Sequence, residues 1–384
     1  MAVFDASRLA GNALSWLHLK TEVPVVEADG RDDLESRIRF IEGDCIVLAR
    51  NSDGAGARCA STGDVSHGGL TFAELKGVVG AVGRTAKWFY LHPDLSCVKY
   101  VFSDERLPDE RCLSRSLWMG RREDERETEL LREALREGLF SERANAYLVL
   151  LGSIADTELP TFVKFSNLRS DIRAVETEIR RDGVWKYATV PAGFGHIKDL
   201  YENGLRLKRQ YACAGIGVCG GELHGRAIRN DFVKGRSLND ILGDLYASRD
   251  ESFFDLYRDY LGRLEKGNSN SYFAPSTDFS RVFGYPVLRS GLKSGTYNNI
   301  DLIFENILVS DDGAWTMIDY EWVFDFPIPW TFIAFRAIMY FFADRPDSVQ
   351  RAEWQRRCHE MAGIDVPDIA AYRAMEFQLQ NAIK

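Results

Sequence analysis

The chain has 384 residues, of which 45% are hydrophobic and 12% aromatic, so it is long enough for two or three domains with real cores. Its 57 acidic and 48 basic side chains give a net charge of −9. This balance argues against a general nucleic-acid-binding protein, because such a protein needs a basic surface to displace counterions. Seven cysteines without close-paired zinc spacing predict free thiols in a reducing compartment.

Neither a secretory signal nor a membrane-spanning segment is predicted. Residues Met1 to Arg8 lack a basic region followed by an apolar core, so no secretory signal is predicted. The longest apolar run, Ile328 to Ala343, is interrupted by Arg336 and is shorter than the ~20 residues that cross a bilayer. We expect a buried helix there and a cytoplasmic protein, with peripheral attachment at the inner face of the membrane as a variant of this location.

Residues 1 to 115 show alternating strand and helix patterns. Two strand-like segments, 44–50 and 86–91, flank a helix that Thr71 and Glu74 open with the spacing of a capping box. This alternation predicts a small α/β domain.

A charged helix is predicted from Arg121 to Gly138, with a narrow apolar stripe of leucines and alanine. Together with its flanks, residues 116 to 139, it is expected to link two domains. Its charge run is interpreted as a solvated face, and no partner is assigned to it.

The next apolar strand, Thr161 to Phe165, carries Lys164 in its interior. A buried charge on such a strand is costly unless it is paired, so Lys164 is predicted to bind a ligand. Kinases use a strand lysine to contact the α- and β-phosphates of ATP, with a glutamate partner on a helix. No glycine-rich phosphate loop precedes Lys164. In its expected place, Phe140 to Ala146, backbone amides or Ser141 would have to cover the phosphates.

Residues Ser170 to Gly183 have the features of a short helix, with a capping serine, apolar residues on one face and a closing glycine. Glu176 and Glu178 would lie about 200° apart around this helix, so at most one of them can face the lysine. Periodicity does not choose between them.

A strand from His224 to Val233 leads to Gly235 and then to a helix. A kinase hinge pairs its backbone with adenine at such a place, so main-chain groups near Asp231 and Val233 are the predicted adenine contacts. An ordinary crossover between lobes requires the same residues, and both interpretations stay open.

Asp301, Asn306 and Asp319 have the spacing of a phosphoryl-transfer site. A kinase catalytic loop needs an Asp that receives the acceptor hydroxyl proton and an Asn five positions later that holds Mg²⁺. The intervening residues 307–318 alternate as strand, turn and strand, and so predict a hairpin that ends at Asp319. This second Asp would bridge the metal to the phosphates, and the pattern therefore predicts ATP and Mg²⁺ as cofactors.

Several of these segments resemble the atypical kinase domain of bacterial polysaccharide-modifying proteins, in which a methyltransferase domain is joined to a kinase domain and whose best understood members cap O-antigen chains. The resemblance is carried by the segments 299–302, 318–322 and 324–329 and by Arg336 on the following helix. It extends over about 140–343.

The resemblance implies an α+β chain with a bilobal protein-kinase-like fold, preceded by a smaller, partial Rossmann-like α/β domain. It implies these roles: Lys164 binds phosphate, Glu178 orients Lys164, Asp301 is the base, and Asn306 and Asp319 hold Mg²⁺. Glu178 is favoured over Glu176 because the triplet 177–179 matches the family's helix. Glu321 is expected either to reach a second metal or to pair with Arg336 or a backbone amide.

The implied domains are a degenerate methyltransferase-like domain at 1–115, a helical linker at 116–139, a small lobe at 140–232 and a large lobe at 233–384. The first lacks a strand followed by a Gly-x-Gly turn and a helix, so we expect it not to bind a methyl donor. Within the small lobe, the strand 147–151 is expected to neighbour that of Lys164.

The expected function is an ATP- and Mg²⁺-dependent kinase acting on a hydroxyl of a bacterial glycan or glycolipid, in surface polysaccharide biosynthesis. Two alternatives stay open: a pseudokinase that binds nucleotide as a scaffold for a glycosyltransferase, and a protein Ser/Thr kinase. The expected partners are a nucleotide, the glycan acceptor, and a glycosyltransferase or methyltransferase. No nucleic acid is expected.

Overall fold

The computed structural model describes residues 14–17, 23–28, 31–59, 69–109, 113, 117–118, 121–122, 125–166, 169–343, 345 and 348–383. The chain divides into two compact units, the first of residues 1–168 and 174–189, the second of residues 169–173 and 190–384. Helices accompany a large sheet, which confirms the predicted α+β class. The division does not coincide with the boundaries expected at 115, 139 and 232. Six of the seven cysteines lie within the described residues and form no disulfide there.

Strands and α-helices alternate in the described part of the first unit. The strands are β1 (Val25–Ala28), β2 (Cys45–Arg50), β3 (Ala86–Asp94), β4 (Cys97–Ser103), β5 (Leu117–Trp118), β6 (Arg121–Arg122), β7 (Ala146–Leu151), β8 (Phe162–Phe165), β9 (Val175–Arg180) and β10 (Gly183–Ala188). The helices are α1 (Arg31–Arg39), α2 (Ala55–Cys59), α3 (Phe72–Val82), α4 (Glu125–Arg136) and α5 (Phe140–Arg143). Eight of the strands follow one another in a sheet in the order β1-β2-β7-β3-β4-β8-β9-β10.

The amino-terminal part of this sheet has the predicted strand and helix alternation. Strands β1 and β2 are parallel and are joined through α1. Helix α3 begins with the predicted capping box, because Thr71 accepts a hydrogen bond from the Glu74 amide and the Glu74 side chain bonds the Thr71 amide. Both predicted strands and the helix between them are therefore confirmed.

Strands β2 and β7 are buried on both faces, so their residues alternate between two cores. Val47 packs on one side of the sheet and Leu48 on the other. The predicted charged helix is confirmed as α4, and its Leu131 is buried in the same cluster as Val47. Helix α4 is thus part of the first unit rather than a free connection.

Two predictions for the middle of the chain are wrong. The helix expected over 170–183 is instead a 3₁₀ turn, Asp171–Arg173, followed by β9, which pairs with β8 and β10. Apolar residues four positions apart suit a helix, but the partners on both sides of β9 satisfy its backbone as a strand. The strands 147–151 and 162–165 are not neighbours either, since β7 pairs with β2 and β3, and β8 pairs with β4 and β9.

The described part of the second unit contains short strands and seven α-helices. The strands are β11 (Ile216–Val218), β12 (Gly221–His224), β13 (Ala227–Asn230), β14 (Arg236–Ser237), β15 (Ser271–Tyr272), β16 (Lys293–Ser294), β17 (Asn298–Asn299), β18 (Ile307–Val309), β19 (Trp315–Met317) and β20 (Val323–Phe324). The helices are α6 (Phe194–Gln210), α7 (Leu238–Ser248), α8 (Ser252–Gly267), α9 (Thr277–Phe283), α10 (Trp330–Ala343), α11 (Val349–Met361) and α12 (Val366–Ile383).

The core of the second unit forms around α10. This helix confirms the buried helix expected from the apolar run, and even its Arg336 is only 4% exposed. The predicted hairpin is also confirmed, since β18 pairs with β19 and Gly313 turns the chain between them at φ 80°. Among the described residues, no helix combines the length and apolar character needed to cross a membrane.

Candidate active site

The loop from Asp301 to Asn306 is closed by its own side chains. The Asp301 amide donates to Asn299 Oδ1 at 3.0 Å, and Asn306 Nδ2 donates to the main-chain carbonyl of Asp301 at 2.9 Å. Because the amide nitrogen of Asn306 is used in this way, only its Oδ1 can serve as a metal ligand. The bond fixes the position of Asn306 relative to the predicted base.

The hairpin brings Asp319 to the same place. The Ile318 amide donates to the main-chain carbonyl of Asn306 at 2.8 Å, so the residue before Asp319 is bound to the predicted metal-binding Asn. Asp319 itself has φ 53°, a left-handed conformation that costs a non-glycine residue energy and that Asp and Asn adopt more readily than most. Such backbone strain concentrates at functional sites.

Asp301 lies in a site rich in negative charge. Burial raises the pKa of its carboxyl group to about 6, with Arg336 acting in the opposite direction and the charges of Asp319 and Glu321 adding to the rise. Three carboxylates are therefore close enough to repel one another. A site of this kind favours a cation.

Arg336 anchors the predicted base from α10. Its Nη1 contacts Asp301 Oδ1 at 3.2 Å and also donates to the Ile300 carbonyl, while its Nε donates to Glu376 Oε2 at 2.7 Å. Burial would lower the pKa of Arg336, but Glu376 and Asp301 raise it above its ordinary value. The guanidinium thus stays charged in the core and fixes the orientation of Asp301.

Glu321 pairs with a residue that the sequence did not suggest. Its carboxylate, 6% exposed, forms an ion pair with Arg169, and Arg169 and Arg173 both lie over the ring of Trp322. The expected pairing of Glu321 with Arg336 is not observed, because Asp301 and Glu376 bind that guanidinium. A second-metal role for Glu321 stays a prediction.

Tyr320 attaches this segment to α6. Its hydroxyl donates to the Cys219 carbonyl at 2.9 Å, and its ring lies against Gly204 so closely that a Cβ at that glycine would come 2.7 Å from the Tyr320 hydroxyl oxygen. The absence of a side chain at Gly204 is thus needed for the position of the residue that follows Asp319.

The predicted pairing of Lys164 with Glu178 is wrong. Lys164 lies opposite Thr177, whereas Glu178 lies opposite Val163, so the lysine and the glutamate point to opposite faces of the sheet. Lys164 is exposed, which removes the argument from a buried charge. Glu178 is fully buried and accepts a hydrogen bond from Arg180 Nε at 2.6 Å.

Lys186 has the burial that was expected of Lys164. It lies on β10 opposite Thr177, on the same face as Lys164, and is only 7% exposed. The next α-helix after β10 is α6, which begins eight residues after Lys186. A signal was present, because Gly183 and the segment after it have the pattern of a strand, but the helix expected over 170–183 obscured it.

The predicted phosphate cover at Ser141 is not formed as expected. The stretch around Ser141 is the helical turn α5 rather than a loop between strands, and the Ser141 carbonyl accepts a hydrogen bond from Tyr147 at 3.0 Å.

At the predicted hinge, the Asp231 amide already donates to the Gly220 carbonyl at 3.0 Å, so it is not open to adenine in this structure. Val233 is half-buried against the core, and an adenine contact by its main chain stays a prediction.

Asn306 and Asp319 carry the oxygen ligands that magnesium prefers. Within the part of the chain that the structure describes, no three His, Cys, Asp or Glu side chains form a metal-binding group. Asn306 and Asp319 would thus offer two oxygen ligands. Mg²⁺ commonly binds in this way, with one or two protein ligands, several waters and the oxygens of substrate phosphates.

Comparisons with known proteins identify no family. No family model matches the chain, and no curated protein matches it. Three solved structures of WbdD are similar over most of its length. A co-crystal structure with the kinase inhibitor LY294002 has a TM-score of 0.28 and 12% identity and covers 93% of this chain and 68% of that one.

The other two structures give similar values. A medium-resolution structure, described as the bifunctional kinase-methyltransferase WbdD, has a TM-score of 0.27, 13% identity and coverage of 93% and 69%. A high-resolution crystal structure has a TM-score of 0.27, 12% identity and coverage of 95% and 74%. These scores are too low to carry functional inference, so function is argued from the residues of the site.

Proposed function

We propose that this protein is an ATP- and Mg²⁺-dependent phosphotransferase whose acceptor is a hydroxyl of a bacterial glycan or glycolipid. The observation that carries the proposal is the joined Asp301, Asn306 and Asp319 arrangement. Asn306 is bonded to the main chain of Asp301, and its own carbonyl is bonded to the residue before Asp319. Catalysis of phosphoryl transfer depends mainly on positioning and charge stabilisation, which such a rigid set provides.

Each residue of the set has a proposed role. Asp301 orients the acceptor hydroxyl and takes its proton, and Arg336 fixes the carboxylate for this purpose. Asn306 Oδ1 and the Asp319 carboxylate would hold Mg²⁺. When bound, the metal would neutralise charge on the phosphates and orient them for transfer.

Lys186 replaces Lys164 as the candidate phosphate lysine. Lys186 lies on a strand and is only 7% exposed, and in kinases a strand lysine contacts the α- and β-phosphates of ATP. Lys164 on the same face of the sheet is exposed. The role of orienting this lysine is not assigned to Glu178, since it lies on the other face of the sheet.

The glycan acceptor rests on the family resemblance of the sequence, because a fold by itself does not choose an acceptor. One feature of the second unit speaks against a protein substrate. After Asp319 the chain enters β20, which pairs with β17, and α10 begins at Trp330. This short, paired connection leaves little length for a segment that docks a peptide.

The test is transfer of labelled γ-phosphate from ATP to a cell-envelope glycan fraction and, in parallel, to total protein. Label in the glycan with the wild type, and its loss in Asp301→Asn, supports the proposal. Label in protein alone would replace the glycan acceptor with a protein acceptor. Nucleotide binding without any transfer would favour the scaffold alternative, which the absence of glycine from residues 140–146 supports.

A further inference from the structure

Residues 169–173, which follow β8 in the chain, belong to the second unit and include two arginines, Arg169 and Arg173. The Ser166 amide donates to the Val175 carbonyl at 3.1 Å and closes the hairpin, while residues 169–173 group with the second unit rather than with the strands on either side. Arg173 Nη1 donates to the Ala382 carbonyl at 2.8 Å. Within the second unit, residues 169–173 are therefore held by specific contacts.

Arg169 of this loop lies among the carboxylates of the candidate active site. Its guanidinium pairs with Glu321 and lies 5.5 Å from the ring centre of Trp322. Burial would lower the pKa of Arg169, but Glu321, Asp319 and Asp301 together raise it. The arginine is thus within electrostatic reach of both the predicted base and the predicted metal ligand.

Most hydrogen-bonding groups of Arg169 are not used within the described part of the chain. A guanidinium has five N–H donors, and the contact of Nη1 with Glu321 is the hydrogen bond that the structure gives this side chain. About a quarter of the side chain, 26%, is exposed. The remaining fork of donors has the geometry that binds a phosphate through two parallel hydrogen bonds.

The surrounding charge explains why such an arginine is needed. Four carboxylates, those of Asp301, Asp319, Glu321 and Glu376, accompany two guanidinium groups, those of Arg169 and Arg336. A negatively charged phosphate would be repelled by this site unless cations accompany it. Arg336 is buried and is bonded to Asp301, Glu376 and the Ile300 carbonyl. Arg169 is 26% exposed and is bonded to Glu321, so it is the guanidinium that a ligand could reach.

We propose that Arg169 binds the transferred phosphoryl group of ATP, in place of a glycine-rich phosphate loop, and that Glu321 is the residue that positions it. The inference rests on the proposed function, because it assigns a residue to the same reaction. Arg169 is a catalytic residue in this account, and Glu321 acts through it. Ser166 to Ala174 contains no glycine, so in this loop the Arg169 side chain, rather than closely approaching backbone amides, would contact the phosphate.

The test compares the binding of Mg²⁺-ATP and Mg²⁺-ADP by titration calorimetry, with Arg169→Ala and Arg173→Ala as a matched pair. Both arginines belong to the same loop and lie over the same ring, but Arg173 is bonded to Ala382 instead of to the carboxylates. We expect Arg169→Ala to weaken ATP binding by about 10-fold or more, since a hydrogen bond to a charged group is lost, and to leave ADP binding within about twofold. Arg173→Ala should bind both nucleotides like the wild type.

The ratio of ATP to ADP affinity is measured within each variant, so a general loss of stability does not imitate the effect. Arg169→Lys, which keeps the charge but not the fork, should give an intermediate ratio. An unchanged ratio, or tighter ATP binding, in Arg169→Ala would overturn the assignment while the wild-type binding of Mg²⁺-ATP leaves the proposed function intact. If the wild type binds neither nucleotide, the proposed function fails and the role of Arg169 fails with it.

Discussion

Arg336 contacts the Asp301 carboxylate at 3.2 Å from inside the core, and it is itself paired with Glu376 at 2.7 Å. A buried guanidinium is tolerated only when its charge is matched. The Tyr340 hydroxyl donates to the other oxygen of Glu376 at 2.9 Å, so side chains of α10 and α12 together position the arginine that contacts Asp301. The orientation of Asp301 is therefore a property of the core of the second unit.

Removing this arginine should be costly for stability. Arg336→Met would leave the buried Glu376 and Asp301 without a counter-charge, and we expect a loss of about 3 to 5 kcal/mol in the free energy of unfolding. Denaturant titration measures this loss. The double variant Arg336→Met, Glu376→Gln should recover a large part of it, and equal stability of the single and double variants would contradict the role given to the ion pair.

Asp301→Asn should separate activity from stability. Loss of the base should reduce transfer by about 10²-fold or more. The pKa of Asp301 is raised to about 6 in the folded protein, so its ionised form opposes folding, and this cost is fully present above about pH 6. It disappears as the pH falls towards the unfolded value, because the carboxyl group is then protonated in both states.

The Asn variant should accordingly be more stable than the wild type at pH 8, by about 1 to 3 kcal/mol, with little difference near pH 4. Thermal unfolding across this pH range measures the difference. For the wild-type activity, kcat/KM should rise with pH through about 6, since the base must be ionised. If the stability difference between Asp301→Asn and the wild type favours the wild type more at pH 8 than at pH 4, the raised pKa assigned to Asp301 is refuted.

Lys186 and Lys164 form a matched pair for a test of phosphate binding. They share one face of the sheet on either side of Thr177, but Lys186 is buried and Lys164 is exposed. Lys186→Met should reduce kcat/KM for ATP by about 10²-fold, whereas Lys164→Met should stay within about twofold of the wild type. Steady-state kinetics decides, and the reverse ranking would restore Lys164 as the phosphate ligand.

Gly204 and Gly195 offer a second matched pair, both on α6. A Cβ at Gly204 would come 2.7 Å from the Tyr320 hydroxyl oxygen, whereas one at Gly195 meets no atom within 4 Å. Gly204→Ala should cost about 1 to 3 kcal/mol and lower activity, because Tyr320 must move. Gly195→Ala should instead add up to about 1 kcal/mol of helix stability. Equal melting temperatures of the two variants would show that Tyr320 is free to move.

The sequence was sufficient where local rules and tertiary structure agree. The capping box at Thr71, the hairpin before Asp319 and the buried helix around Arg336 were all predicted from spacing and composition, and all are confirmed. In each case the signal lies within about 20 residues, and no distant partner is needed to select the structure.

The sequence was insufficient where the structure of a segment depends on residues far away in the chain. Apolar residues at 172, 175 and 179 suit a helix, but β8 and β10 pair with this segment and make it a strand. The error made Glu178 the partner of Lys164, although the two lie on opposite faces of the sheet, and it hid Lys186. The contact between Arg169 and Glu321 joins residues 152 positions apart, so no local sequence pattern predicts it.

Asp319 is proposed to bind the magnesium that accompanies ATP. Calorimetric titration of ATP with and without Mg²⁺ tests this role most directly. Asp319→Asn is the informative variant, because Asn tolerates the left-handed φ of 53° that this position requires, and the exposed Asp325 provides the control Asp325→Asn. The wild type and the control should bind ATP at least about 10-fold more tightly with Mg²⁺, and Asp319→Asn should lose this gain. An equal magnesium effect in Asp319→Asn, or no magnesium effect in the wild type, would contradict the account.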